Sequence, residues 1–399
     1  GDPVAVIARA LVAAWPLHRL VLEDRSEPDR GDPNSLEVIE AAGQSCKVAA
    51  MEETLGGRIM YSESAGVNYG AYFVMGNYTH ASRLLRRKER LDPLQVCFHK
   101  SGTERYGVLS MHTLRFLPEF IHFLLAMIEF SSHYRTFKQR CLEMPLKEAL
   151  KADAYMEAVY TMSAAEFARK KGYPHVAEDY VSMFSYACTG ASMASLTALD
   201  FLNVSMGLLL PIYRFQFERQ AMAERLGKHL VMDSITHLGR EGGLHVLTGR
   251  SGRKYMARNV VVATPAAVTR ELLGLDQIRG ACQIYVHHIR GELQPLYHPY
   301  LINLFPHTSA IMLTAREFDG TYLVYSRSKD ASLEQVCTRY ELLAEVDWEK
   351  AMYVHGSALM EQQVGEGIYI AGDHNGLGLE PSAISGLFAA GQIVGKKGA

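Results

Sequence analysis

Asp373 and the glycines around it form the first group of residues that could bind a ligand. The stretch GIYIAGDHNGLGLEPSAISGLFAAGQIVGKK (367–397) predicts a buried strand ending at Ile370, then a turn where Gly372 lets backbone approach a bulky group. Asp373 would offer its carboxylate to that group. The small residues at 382–386 predict the start of a helix, whose unpaired N–H groups and positive dipole end suit an electron-rich or anionic ligand. A plain strand-loop-helix that closes a sheet is the alternative.

A second group of polar residues follows a helix-strand pattern in the stretch SCKVAAMEETLGGRIMYS. It contains two acids, two glycines and a base, which are Glu52, Glu53, Gly56, Gly57 and Arg58. In a dinucleotide-binding fold, an acid at the end of the second strand hydrogen-bonds the adenosine ribose, and a following glycine pair allows backbone contact near the pyrophosphate. Arg58 would add a charge-assisted contact.

Two adjacent histidines, His287 and His288, are candidates for a general base, and the sequence assigns no other catalytic residue. On a strand they point to opposite faces, so at most one of them faces a site. No HxxxH or carboxylate spacing accompanies them, and we predict no metal site. Cys188 has no acid-base partner nearby in the sequence, which favours a packed thiol over a nucleophile.

Composition narrows the classes of partner. The 399 residues suit two domains, and 41 basic against 43 acidic side chains give a formal net charge of −2, which does not favour nucleic acid. The six cysteines are scattered without paired spacing and no leader pattern is visible, which favours a cytoplasmic protein with reduced thiols. The apolar stretches 116–130 and 204–213 are too short to span a bilayer. They predict core helices, with membrane-surface contact as the alternative.

The apolar periodicity and the turn residues in the rest of the sequence predict the helices and strands that must position these candidate residues. Residues 114–215 are rich in Leu, Phe, Met, Ala and Tyr and predict several helices, among them 164–171 and 191–210. The stretch 66–87 is punctuated by glycines and then helical in pattern. Downstream, turns at Gly242-Gly243 and Ser251-Gly252 predict antiparallel strands, and the apolar run 259–263 is typical of a buried parallel strand.

The order of these pieces resembles the flavin-dependent amine oxidase and phytoene desaturase superfamily over most of residues 45–395. The resemblance rests on the motifs ETLGGR, HLVMDSITHL, NVVVATPAAVTRELLG, DWEKAMY and IYIAGDHNGLGLEPSAISGLFAAGQI. The resemblance implies an α/β fold, with a Rossmann-like three-layer FAD-binding domain of the GR2 type and an inserted, largely helical substrate domain that carries a mixed β-sheet. The implied FAD domain comprises residues 1–88, 216–275 and 350–399. The implied substrate domain comprises residues 89–215 and 276–349.

The resemblance also implies FAD as the cofactor. Ile235 would then lie at the adenine, Asp373 would meet the ribityl chain or a phosphate, and residues 382–384 would present a helix N-terminus to the flavin ring. In chain order, the residues implied to contact FAD are Glu52, Glu53, Gly56, Gly57, Arg58, Gly70, Ala71, Ile235, Thr264, Pro265, Gly372, Asp373, Ser382, Ala383 and Ile384.

The N-terminus departs from the superfamily's pattern. The G-x-G-x-x-G fingerprint should follow a first strand some two dozen residues before the ribose acid. In the nearest match, VAVIARALVAAW, the glycine positions hold Ala8, Ala10 and Ala13, whose methyl groups obstruct the pyrophosphate contact. Ala8 also lies too far before Glu52, whereas Glu23 lies too near. The alternative is a simple amphipathic helix over 4–22, and FAD binding could be weak or lost.

The sequence is compatible with three functions, and its departures from the superfamily's pattern favour one of them. No lysine occurs between Lys254 and Lys329, Leu379-Glu380 stands where amine oxidases carry a cage aromatic, and Tyr213-Arg214 replaces a glycine pair. These features favour a desaturase-like FAD-dependent oxidoreductase that oxidises an apolar molecule such as an isoprenoid, polyketide or other secondary metabolite. One alternative is a fold that has lost FAD and acts as a cofactor-free isomerase, a cyclase or a partner subunit. The other is an amine oxidase. Homo-oligomers are compatible with each of them.

Overall fold

The computed structural model describes residues 19–24, 45–50, 57–83 and 85–394. In chain order its strands are β1 (Arg19–Asp24), β2 (Ser45–Ala50), β3 (Tyr61–Ser62), β4 (Val67–Asn68), β5 (Val74–Met75), β6 (Leu85–Arg90), β7 (Val96–Ser101), β8 (Glu104–Gly107), β9 (Ile212–Phe217), β10 (Leu230–Met232), β11 (Ile235–Glu241), β12 (Leu244–Gly249), β13 (Lys254–Ala263), β14 (Gly280–Leu293), β15 (Ile302–Leu304), β16 (Ile311–Arg316), β17 (Tyr322–Ser326), β18 (Cys337–His355) and β19 (Ile368–Ile370).

The helices lie mostly between the eighth and ninth strands. They are α1 (Met111–Arg115), α2 (Leu117–Glu143), α3 (Leu146–Lys151), α4 (Ala154–Thr161), α5 (Ala164–Lys171), α6 (Pro174–Val176), α7 (Ser182–Thr189), α8 (Ala198–Leu209), α9 (Arg219–Leu226), α10 (Ala266–Leu273) and α11 (Leu379–Val394), with a π-helical segment at Ala177–Val181. Ser163 caps α5 and Gly172 ends it in the left-handed conformation, which is why its bounds could be read from the sequence. None of the described helices combines the length and apolar character needed to cross a bilayer.

The first sheet gathers distant parts of the chain. Its order is β10-β2-β1-β13-β12-β11, and β19 also pairs with β13. The β13–β19 pairing is parallel, so the two strands end at the same edge and deliver Thr264 and Asp373 to it. The α/β class with mixed sheets is confirmed. The GR2-type layout stays a prediction, because β1 runs antiparallel to both of its neighbours and the parallel pairs among the described strands of this sheet are β2 with β10 and β13 with β19. The domain boundaries stay predictions as well.

A second sheet and the helices form the rest of the molecule. The second sheet has the order β18-β14-β17-β16-β15-β7-β8, and a smaller sheet has the order β5-β9-β6. One continuous apolar core, running from Ile59 to Ala390, includes side chains from both large sheets and from α2, α7, α8 and α11. The candidate ligand site lies within this shared core.

Several local predictions are wrong. The helical pattern before residue 87 gives a 3-10 turn at Ala81–Arg83 and then strand β6, because its backbone pairs with β9. The helix predicted from 191 begins at Ala198. Residues 19–22, included in the alternative N-terminal helix, are in strand β1.

Candidate active site

A large, mostly apolar cavity lies between the second sheet, the smaller sheet, the loop that follows β19, and helices α7 and α8. It encloses about 1440 Å³, including space that is open to solvent. Its walls are aliphatic and aromatic side chains, for example Ile302, Leu304 and Leu313 from the second sheet and Ile212 from the smaller sheet. Among the described residues, the charged side chains that line it are Arg58 and Asp373. The cavity therefore combines one polar wall with an apolar interior.

Arg58 and Asp373 form a bidentate ion pair on the polar wall. Arg58 Nη1 and Nη2 donate to the two carboxylate oxygens at 2.7 and 2.6 Å, and Nη1 also donates to the Ala351 carbonyl at 3.0 Å. Burial alone would raise the pKa of Asp373, but the adjacent guanidinium lowers it below its ordinary value. Gly372 reaches this turn with φ +133°, and its N–H and C=O both bond the Ser385 hydroxyl, at 2.8 and 3.1 Å. The structure thus brings together Arg58, Gly372 and Asp373, which are distant in the sequence.

Gly70 and Ala71 also line the cavity, beside the backbone of Arg58. The Ala71 N–H donates to the Arg58 carbonyl at 3.1 Å. A Cβ atom on Gly70 would lie 1.7 Å from that same carbonyl oxygen, so the close backbone crossing itself requires glycine. Gly57 opens the turn that carries Arg58, with φ +48°. These small residues fix the position of Arg58.

Helix α11 begins earlier than the sequence predicts. It starts at Leu379, and residues 377–379 line the cavity. Ser382, Ala383 and Ile384 are buried within the helix and do not line the cavity; the Ser382 N–H already bonds the Gly378 carbonyl at 3.4 Å. The prediction that the helix starts at 382 is therefore wrong, and its N-terminal end meets the cavity about one turn earlier.

Glu380, in the first turn of α11, serves a structural role. Its buried carboxylate accepts from the backbone N–H groups of Thr79 at 2.9 Å, His80 at 3.1 Å and Ala81 at 2.9 Å, and from the Thr79 hydroxyl at 2.8 Å. The carboxylate satisfies the backbone N–H groups that open the turn at Ala81–Arg83, and it does not face the cavity. The position predicted from the sequence to correspond to a cage aromatic thus holds a helix-to-turn connection.

A second buried ion pair holds the loop before α11. Asp200, on α8, pairs with Arg279, and both side chains are fully buried. The other Asp200 oxygen accepts the Leu377 N–H at 3.2 Å, while Asn203 donates to the Leu377 carbonyl at 2.9 Å. Arg279 also donates to the carbonyls of Val354 and Gly356. Helix α8 therefore fixes both backbone groups of a residue that lines the cavity.

Tyr213-Arg214, predicted to replace a glycine pair of the superfamily, supports another part of the wall. Arg214 Nη1 lies 3.0 Å from the Glu317 carboxylate, and Nη2 donates to the Tyr72 hydroxyl at 2.7 Å. Tyr72 in turn donates to Glu317 at 3.2 Å, and its ring lines the cavity. The pair is buried, and burial raises the pKa of Glu317 in spite of Arg214. This replacement therefore orients a cavity tyrosine.

The residues predicted for the far end of the cofactor do not line the cavity. Ile235 opens β11, and Thr264 and Pro265 follow β13. The Thr264 carbonyl accepts from His374 Nε2 and from the Thr269 hydroxyl, both at 2.9 Å. Glu52, Glu53, Gly56, Ala8, Ala10 and Ala13 lie outside the described residues. Contact of any of these residues with FAD stays a prediction.

Because His374 is buried as a neutral imidazole, we expect the stability of the protein to depend on pH. Burial lowers the pKa of His374 to about 4, although the nearby Asp373 carboxylate acts to raise it. Above pH 6.5 the histidine is neutral in both states. As pH falls from 6.5 to 4, only the unfolded chain binds its proton, so the free energy of unfolding falls by about 3 kcal/mol. Urea unfolding of His374→Gln should show a smaller decrease over this window. An identical pH dependence in variant and native protein would contradict the assignment.

The other candidate groups lie outside the cavity or lack reactivity. His288 contacts the Tyr69 hydroxyl at 2.9 Å and Thr321 at 2.8 Å, while His287 contacts Ser326 at 3.2 Å and Glu345 at 3.3 Å. Neither lines the cavity, and burial lowers the pKa of both. Cys188 does line it, but burial raises its pKa to about 12. The described residues contain no group of His, Cys, Asp or Glu that could hold a metal.

Comparison with solved structures identifies the fold. Putrescine oxidase bound to putrescine matches with a TM-score of 0.63 at 13% identity, covering 90% of this chain and 96% of the oxidase. Cyclohexylamine oxidase from Brevibacterium oxydans IH-35A matches with a TM-score of 0.61 at 12% identity, covering 97% and 96%. A CLA-producing fatty acid isomerase from P. acnes matches with a TM-score of 0.56 at 12% identity, covering 85% and 90%. No protein-family model matches the chain, and no curated protein matches it. The resemblance to the flavin amine oxidase superfamily is thereby confirmed at the level of the fold.

Proposed function

We propose that this protein is an FAD-dependent oxidoreductase of the desaturase-like type, which oxidises an apolar small molecule. The observation that carries the proposal is the composition of the cavity. Among the described residues that line it, the two charges neutralise each other and most of the remaining surface is apolar. A charged substrate would lose its hydration there without gaining a partner, whereas a hydrocarbon chain would be stabilised by burial.

The polar wall suits the flavin end of FAD. The positive end of the 16-residue helix α11 favours an electron-rich or anionic group, and Asp373, held in place by Arg58, would accept hydrogen bonds from ribityl hydroxyls. Residues 377–379 would offer backbone to the ring. When bound, FAD would supply a hydride acceptor next to the apolar interior.

The protein's own side chains would orient the substrate and exclude water. Ile302, Leu304 and Leu313 form aliphatic wall on two neighbouring strands of the second sheet. Tyr78 also lines the cavity, and burial raises the pKa of its hydroxyl, so it stays protonated and can donate a hydrogen bond. These groups position a substrate without supplying a base.

An amine oxidase is the second candidate, favoured by the structural likeness to putrescine oxidase and cyclohexylamine oxidase. The cavity argues against an amine substrate. Asp373 is the carboxylate among its described lining residues, and Arg58 already neutralises it. The likeness to a fatty acid isomerase agrees better with the apolar walls. A fold without FAD that acts as an isomerase, cyclase or partner subunit is the third candidate.

Substrate tests on FAD-loaded protein separate these candidates. Under anaerobic conditions, we expect an uncharged isoprenoid hydrocarbon to bleach the visible absorbance of the flavin. Putrescine and cyclohexylamine should leave it unchanged, because the cavity offers no unpaired carboxylate among its described residues. Rapid bleaching by either amine would favour the amine oxidase. Conversion of an apolar substrate by protein that retains no flavin would favour the third candidate.

A further inference from the structure

One side of the molecule exposes a continuous apolar surface along α1 and α2. Leu109 and Met111 are 81% and 80% exposed, and Leu114 is 61% exposed. On α2 the exposed apolar side chains are Leu117, Ile121, Leu124, Leu125 and Ile128. Their spacing places these five on one side of the helix. We call the surface formed by these eight side chains the 109–128 face.

The inner side of the same helix is also apolar. Phe123, Met127 and Phe130 are buried in the core, opposite the exposed stripe. An ordinary surface helix carries polar residues on its outer side, and a helix that is apolar all round is normally covered. The stripe becomes polar one turn later, at Ser132 and Arg135. The apolar part, residues 117–128, is about 18 Å long at 1.5 Å per residue.

The exposed charges at the edge of this face are mainly cationic: Arg115, Arg169 and Lys170 outnumber the exposed Glu166, which lies one turn before the last two on α5. Arg115 lies within the segment, and the last turn of α5 brings the exposed Arg169 and Lys170 alongside α2, where His122 Nδ1 lies 2.9 Å from the Gly172 carbonyl. The two acids of α2 beside this face are engaged. Glu119 accepts the N–H groups of His175 and Val176 at 2.8 and 3.1 Å, and Glu129 lies 2.5 Å from Lys171 Nζ.

We infer that the 109–128 face docks on the surface of a lipid bilayer that contains anionic headgroups. Apolar side chains from a helix lying in the interface enter the acyl boundary, and basic residues at the edge meet anionic lipid. A second copy fits less well, because a twofold contact through this face would bring the same cationic edges together. This inference goes beyond the proposed function and does not depend on FAD.

Vesicle sedimentation of the full chain tests the inference. We expect binding to vesicles of phosphatidylcholine with phosphatidylglycerol, weaker binding to phosphatidylcholine alone, and a decrease with added salt. Ile121→Gln with Leu125→Gln should reduce binding to both at least about tenfold. Arg169→Gln with Lys170→Gln should reduce, by about tenfold, only binding to the anionic vesicles.

A matched control lies on β18, where Leu342 and Leu343 are 49% and 36% exposed. Leu342→Gln with Leu343→Gln should bind vesicles as the native chain does, and thermal melts should show all three double variants folded. Absence of native binding to both vesicle types, or equal loss in the control, would overturn the inference. A dimer in the absence of vesicles that Ile121→Gln with Leu125→Gln dissociates would show instead that the face joins two copies.

Discussion

Alanine in place of Asp200 is expected to lower the free energy of unfolding by about 3–5 kcal/mol. The change leaves the guanidinium of Arg279 buried without its carboxylate, since neither side chain has any exposed area. It also removes the acceptor for the Leu377 N–H. Urea unfolding monitored by circular dichroism measures the effect.

A double variant separates the cost of the unpaired charge from the loss of packing. Asp200→Leu with Arg279→Met replaces the ion pair by apolar side chains, which often restores or exceeds native stability. We expect it to be at least about 2 kcal/mol more stable than Asp200→Ala. Equal stability of the two variants would show that an unpaired Arg279 is not the cause.

Alanine in place of Asp373 is expected to weaken FAD binding about 10- to 100-fold, because charge-assisted hydrogen bonds contribute about 1.5–3 kcal/mol each. Asp373 would contact the cofactor, and its carboxylate also holds Arg58 through two bonds. Titration of FAD into native and variant protein, followed by fluorescence, measures the change.

Cys188→Ala is the matched control for this experiment. Cys188 lines the same cavity, but its thiol is neutral because burial raises its pKa to about 12. We expect this variant to bind FAD as the native protein does. If both variants bind FAD equally well, Asp373 does not contact the cofactor.

Much of the fold could be predicted because local signals and long-range packing agree. Gly242 and Gly243 occur where β11 turns into β12, both with positive φ, and Gly172 ends α5. Strand β6 was missed because its charged sequence has a helical pattern, whereas pairing with the distant β9 determines its structure. Local propensity does not contain that information.

The candidate site was predictable only in part. Arg58 and Asp373 lie in recognisable sequence motifs, and the structure pairs them although they are 315 positions apart in the sequence. The role of Asp200 could not be predicted, because an acid in an apolar helix is expected at the surface. Only the folded chain brings Arg279 to it as a buried partner. In the sequence, Glu380 is only a departure from the superfamily's pattern, because its role depends on the distant backbone of residues 79–81.

The flavin content of the purified protein tests the central claim most directly. After incubation with FAD and gel filtration, the visible absorption spectrum gives the ratio of flavin to protein. We predict a flavin spectrum that elutes with the native chain, at less than one flavin per chain before FAD is added and more afterwards, and that is strongly reduced in Asp373→Ala. A native protein that shows no flavin absorbance at any concentration of added FAD would contradict the account.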